Sequence, residues 1–342
     1  MNWQEFWEKY RGFVFWAGGI VVVLGSFLIF VAAGWPGSIN SCIWGDGARQ
    51  TLTPPSAHAS AKERAAYNKE ISQLQALVQA GKQNSCYCEA FSVADAAANS
   101  GGVRQKTNTW FNLYSILTSF IVALWVCFDR RAGVTTFIGS RRTFMPDLYI
   151  FAVLFLGLGS MWFHGSLKEW GGLTDVLSMY TFVAFLVFYT IRRGICANKW
   201  LFWIGYVLTV LAFTVGSEVW SVLSPSTSSI VSLVLVIALV AAYAFCELIW
   251  ISAIRSGGCP WLKSWRWWSG IASIGLATFF WAASQTGAFL CSPGSFWQPH
   301  GLLWHPLAGV AAVMVYYYWR LDTQDEFQAT GGYVDDVPSR YA

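Results

Sequence analysis

Charge is what this sequence has least of. Only 12% of its 342 residues are Asp, Glu, Lys or Arg, about half the share of an average soluble domain. A chain so poor in charge cannot cover a globule with a solvated surface. Its small net charge of +4 is not gathered into a patch, which excludes nucleic acid as a partner. Internal repeats and low-complexity tracts are also missing. Histidine is scarce, with four residues in all: His58, His164, His300 and His305.

Apolar residues fill the gap. They make up 55% of the chain and gather in runs of the about 20 residues needed to cross a bilayer. Eight such runs are predicted, at 13–34, 109–128, 147–167, 172–191, 200–222, 229–253, 268–286 and 301–319, so the expected fold is an all-α polytopic membrane protein. Short cytoplasmic loops concentrate Lys and Arg. With both termini cytoplasmic, 14 of the 22 Lys and Arg fall inside, and the short outer loops hold Lys168 alone. The first run follows basic residues and closes on Val31-Ala32-Ala33, as a signal peptide does. Its apolar stretch exceeds the about 7 to 15 residues of a cleaved signal, so it reads as a retained anchor.

This divides the chain into a cytoplasmic stub and anchor (1–34), an extracytoplasmic cap (35–108), a core of seven spans (109–320) and a cytoplasmic tail (321–342). The cap is predicted to hold a helix from about residue 59 to 80, with Ile71, Leu74, Leu77 and Val78 on one face. Four cysteines fall on the outer side: Cys42, Cys86, Cys88 and Cys291. An even number in an oxidising compartment points to disulfides. Cys86 and Cys88 are too close in sequence to bond comfortably. Of the bridges weighed, Cys88 with Cys291 or Cys42 with Cys291, the first ties the cap to the last outer loop and is expected, with Cys42 left for Cys86. A Cys-x-Cys metal site is the rival, but no third ligand lies nearby.

The segment SMWFHGSLKEWGGLTD, residues 160–175, carries the chemistry. Ser160 and His164 are four residues apart, about 400° of helical rotation and therefore one face. Gly171-Gly172 is expected to turn the chain and bring Asp175, one turn into the next helix, back beside His164. Ionisable groups at membrane depth cost roughly 2.5 to 3.5 kcal/mol each on insertion scales, so their clustering points to function. Under the inferred orientation, His300 and His305, in QPHGLLWHPLAG, enter the last span at the same outer depth. Three imidazoles with an open fourth position suit a hydrolytic zinc ion. Asp175 can then exchange a proton, and Ser160 can stabilise water or a developing oxyanion. Taken singly, each residue is more often a packing hydrogen bond between helices.

Ser-x-x-x-His, an Asp eleven residues later and a Trp-His on the last helix resemble the alkaline ceramidases. The wider CREST superfamily of seven-helix membrane hydrolases, with the adiponectin-type receptors and GPI-remodelling proteins, is similar too. CYCEAF (86–91), RQKTNTWFNL (104–113) and FHGSLKEWGGLTDVLSMY (163–180) carry the resemblance, over about residues 86–320. It implies a CREST-like core with one added N-terminal helix and a small cap. The implied activity is that of a zinc amidohydrolase splitting a ceramide-like membrane lipid into a sphingoid base and a fatty acid. His164 and His305 correspond to zinc ligands, Ser160 to the water- or oxyanion-binding serine and Asp175 to the acid/base carboxylate.

The sequence departs from the family twice. Four residues separate His300 from His305 where the family has three, about 140° off a common helical face. A non-helical entry after Pro299 or a one-residue bulge would restore His300 as a ligand. The family's calcium cluster matches Tyr87-Cys88-Glu89 and Gln105, leaving Glu89 as the one acidic ligand, so Ca2+ is kept only as an alternative ion. A catalytically silent membrane subunit and a lipid-sensing, receptor-like protein are the alternative functions.

Overall fold

The computed structural model describes residues 3–39, 55–80, 87–132, 138, 144–194, 199–223, 228–255 and 261–320. The described chain is all-α. In order it forms α1 (Trp3–Ala33), α2 (Ala61–Gln79), α3 (Val93–Ala97), α4 (Lys106–Phe111), α5 (Tyr114–Ala132), α6 (Met145–Ser166), α7 (Glu169–Gly194), α8 (Lys199–Leu223), α9 (Ser228–Arg255), α10 (Trp261–Ala283), a π-helical turn (His300–Trp304) and α11 (His305–Trp319). Among the described residues, six helices are long and apolar enough to cross a membrane: α1, α4 with α5, α6, α7, α8 and α9. The seventh and eighth expected spans are helical but fall outside that set. Five tryptophans crowd α10, and α11 has only 15 regular residues after its π-turn.

Burial sorts the helices. α6 and α7 are apolar all round and mostly enclosed, whereas α1 keeps almost all of its apolar window on the outside, as a lipid-facing helix does. α7 packs on α6, α8 and α9. α11 packs on α10, α5 and α6, and so closes the bundle, while α1 lies on α5 and α6. At the α6–α7 crossing, small residues permit close approach. A Cβ on Gly159 would meet Ser178 Cβ at 2.6 Å, and on the other side of α6, against the α4–α5 junction, one on Gly157 would meet Asn112 O at 2.5 Å.

The arginine-rich end of the bundle is tied by buried ion pairs. Arg130 grips Asp147 through two hydrogen bonds of 2.9 and 2.7 Å, and Arg11 of α1 adds a third at 2.8 Å. Arg320 holds Asp129 with two of 2.7 Å. Glu247 accepts from Arg193, Thr190, Tyr318 and Trp319, linking α7, α9 and α11. Each carboxylate is matched by several donors, the condition under which a buried charge is tolerated.

At the other end, α2 starts with a capping box. The Ser60 hydroxyl accepts from Glu63 N at 3.2 Å, and Ser60 N donates to the Glu63 carboxylate at 2.7 Å. Ile71, Leu74 and Val78 pack with Phe91, Val93, Phe163 and Leu167. Leu77 does not join them; it is 44% exposed. Six residues from Ile71, it sits about 240° round the helix, off the stripe set by Ile71, Leu74 and Val78. Cys88 and Cys291 are bonded, with Cα atoms 5.3 Å apart, as expected. Cys42, Cys86 and the tail after Arg320 lie outside the described residues.

The turn between α6 and α7 departs from expectation. It falls at Leu167-Lys168, not at Gly171-Gly172, which lie inside α7. Leu167 takes a left-handed φ of 55°, at a cost of roughly 1–2 kcal/mol for a residue with a Cβ, offset by burial of its side chain. Gly171 serves packing: a Cβ there would meet Ser166 Oγ at 2.6 Å and Phe163 Cα at 3.1 Å. Asp175 therefore sits about two turns into α7, not one.

Candidate metal centre

Three histidines meet at the end of the bundle against which α2 and α3 pack. His164 closes α6, His300 opens the π-turn, and His305 begins α11. One ring nitrogen from each lies within 4.8 Å of the others, and all three side chains are buried, at 0%, 3% and 1% exposure. The other histidine, His58, is exposed near the start of α2 and outside the cluster.

The π-turn is what brings His300 round. The backbone N–H of His305 donates to His300 O, a bond spanning five residues instead of four, so residues five apart fall on one face. Their ring centroids are 4.6 Å apart. Pro306 follows immediately, and its missing N–H cannot close the next helical bond. Trp304 stacks on Trp281 of α10, fixing the base of the turn. Gly301 allows the turn to lie on α4, where a Cβ would meet Asn108 Oδ1 at 3.0 Å and Thr107 O at 3.2 Å.

The donor set fits a cation. His164 Nε2 and His300 Nε2 face each other at 3.2 Å. His300 Nδ1 and both nitrogens of His305 have no hydrogen-bond partner among the described residues. Buried polar atoms left bare cost about 1–3 kcal/mol each, so several in one cluster call for a missing partner. Three neutral imidazoles are the ligand type that zinc accepts.

Ser160 and Asp175 line the same cavity as His300 and His305, together with Tyr87 and Tyr114. Ser160, one turn before His164 on α6, lies beside the Asp175 carboxylate across the α6–α7 crossing. The space open to the centre of a water molecule is about 10 Å3, enough for about one water. Aromatic rings wall it: Tyr87 lies 4.7 Å from the His164 ring and 4.1 Å from that of His300, and Tyr114 stacks on His305 at 5.9 Å.

Glu89, the remaining acidic residue at the calcium-like position, accepts backbone N–H bonds from Thr107 at 2.7 Å and Asn108 at 2.8 Å. Both carboxylate oxygens thus cap the start of α4. Burial pushes this carboxyl above its ordinary value, against the pull of those two N–H groups and of Lys106. Sequence reasoning missed the wall residues Tyr114 and Trp281, because aromatic residues within apolar runs are indistinguishable from core, and Tyr87, because its segment reaches the histidines only in the folded chain. Compared with protein-family models and with curated proteins, the chain matches none.

Proposed function

We propose that this chain is a zinc-dependent membrane hydrolase of the ceramidase type, cleaving the amide of a ceramide-like lipid. The observation that carries the reading is a cluster of three buried imidazoles within 4.8 Å, two of which line a cavity shared with a serine and a carboxylate. The same reading takes α4 with α5 and α6 to α11 as a CREST-like seven-helix core, α1 as an added anchor and α2–α3 as an extracytoplasmic cap. It places both termini in the cytoplasm, because Arg11, Arg130, Arg193 and Arg320 gather at the opposite end from the site.

His164, His300 and His305 would hold the ion, which supplies Lewis acidity toward a carbonyl and toward water. Asp175 takes the proton from the attacking water and returns it to the leaving amine, the transfer that makes amide cleavage feasible at neutral pH. Ser160 orients that carboxylate in the resting site. When the carbonyl oxygen gains charge, its hydroxyl is placed to donate to the oxyanion. The walls of Tyr87, Tyr114, Trp281 and Trp304 exclude bulk water and strengthen these interactions.

One observation favours the silent-subunit alternative: the cavity, at about 10 Å3, has room for about one water and is too small for a lipid amide. The acyl chain must then lie between helices, with the wall residues moving on entry. The test is mass spectrometry of lipids incubated with the purified protein, with and without a chelator. Release of sphingoid base and fatty acid that stops with chelator and returns with zinc is expected. Zinc-loaded protein that releases neither from any lipid amide would move the reading to a subunit or sensor.

A further inference from the structure

Gln105 stands just before α4, fifty-nine residues from His164 in sequence, yet its side chain touches the imidazole. Gln105 Oε1 lies 2.7 Å from His164 Nδ1. Its amide nitrogen lies 3.0 Å from Glu89 O and 3.3 Å from Tyr87 O. Both neighbours of the nitrogen are carbonyl oxygens, which only accept, so that end of the amide must be the NH2. The other end is then the oxygen, which needs a hydrogen from His164. Flipping the amide would set an oxygen against two oxygens. The backbone repeats the connection, since Gln105 N donates to His164 O at 3.0 Å.

We propose that Gln105 is a positioning residue for the metal centre, holding His164 in the Nδ1–H tautomer and thereby reserving the Nε2 lone pair for the ion. Neutral imidazole carries one proton, and a hydrogen bond at one nitrogen decides which nitrogen can ligate. His164 Nε2 is the atom that faces His300 Nε2, so the tautomer fixed by Gln105 is the productive one. The amide is required as such. A glutamate here would place a carboxylate oxygen against the Tyr87 and Glu89 carbonyls, and leucine or alanine would leave Nδ1–H without an acceptor.

The inference rests on the three-histidine cluster being a metal site, and the experiment separates the two. Nitrogen-15 NMR of histidine-labelled, metal-free parent protein reads the tautomer directly. His164 with its proton on Nδ1 is expected, with a mixture of tautomers in Gln105→Ala. A proton on Nε2 in the parent overturns the proposal whatever the metal does. Zinc affinity is then measured by chelator competition, with melting temperature alongside. Gln105→Ala and Gln105→Glu are expected to bind zinc about 10- to 100-fold more weakly, in each case with melting changed far less than in a variant that unfolds. If Gln105→Ala does not fold, the parent tautomer and Gln105→Glu still decide. Folded variants with parental zinc affinity overturn the proposal. A parent that binds no zinc refutes the metal reading instead.

Discussion

At the residue scale, Asp175 and Ser160 separate chemistry from packing. Asp175→Asn keeps the size and the contact with Ser160 but removes the proton acceptor, so lipid-amide turnover is expected to fall by on the order of 100-fold or more with zinc still bound. Ser160→Ala removes one oxyanion donor and should cost roughly 10- to 1000-fold. Turnover, zinc content and melting temperature for each variant check both, and parental turnover in zinc-bound Asp175→Asn sinks the acid/base role. Lys168 offers a pH test outside the spans. Its amine is fully buried, donating to Ala96 O and to Asn99 Oδ1. Burial, with Arg104 nearby, pushes its pKa down to about 8. The folded state therefore holds this proton less tightly than the unfolded chain, whose lysine titrates at about 10.4. Between those values the unfolded state binds more protons, so stability rises with pH. Melting temperature should climb from pH 8 towards 10 more in the parent than in Lys168→Met, and equal slopes would refute this. The three histidines, Ser160 and Asp175 were legible in the sequence because ionisable groups are conspicuous in apolar runs. Gln105 was not, since a neutral amide gives no charge signal and its contact with His164 exists only once α4 and α6 are packed.

At the scale of elements, the membrane helices were readable because apolar length alone marks them. What sequence periodicity could not give was irregular backbone. Gly171-Gly172 reads as a turn by composition, yet it sits in α7 where Ser166 and Phe163 need the space. The break falls instead on a leucine whose left-handed backbone no propensity suggests. The spacing of His300 and His305 is off-face on a regular α-helix, and the one-residue bulge that would restore it is the π-turn of the structure, which periodicity allows but does not specify. This gives a register test. Leu303 is 38% exposed, so its side chain is dispensable. Deleting it leaves three residues between the two histidines, which then stand four apart, about 400° on a regular helix and still one face. Inserting alanine after Leu303 makes the count six, about 120° off any common face in an α-helix. The deletion should keep zinc within about tenfold of the parent, and the insertion should lose it by about 100-fold or more, on the scale of losing ligand support. Chelator competition reads both; a folded insertion variant with parental affinity would show that the turn does not set the site.

At the scale of the whole molecule, the bundle is fastened at both ends by different means, buried arginine–carboxylate pairs at one and the Cys88–Cys291 bond at the other. That bond joins chain positions 203 residues apart, and it lies between the Tyr87 and Glu89 carbonyls that hold Gln105. It also anchors the loop leading to the π-turn, where Ala90 N donates to Pro293 O at 3.0 Å. Two of the three histidines thus depend on segments that the disulfide clamps together: His164 through Gln105, and His300 through its loop. Removing a native disulfide typically costs about 2–5 kcal/mol, with the chain-entropy share growing with loop length. In a bilayer the helices stay inserted when the rest loosens, so the expected loss for Cys88→Ser with Cys291→Ser is near the low end, about 2 kcal/mol. The sharper expectation is local. Zinc affinity should fall in the double variant, and a reductant applied to the parent should reproduce the fall without altering Cys127 or Cys246, which are buried thiols already. Adding Gln105→Ala to the double variant should then weaken zinc by less than it does in the parent, because residues acting through one contact are not additive. Independent, fully additive losses in that cycle would mean the disulfide supports the loop alone and leaves the Gln105 contact untouched.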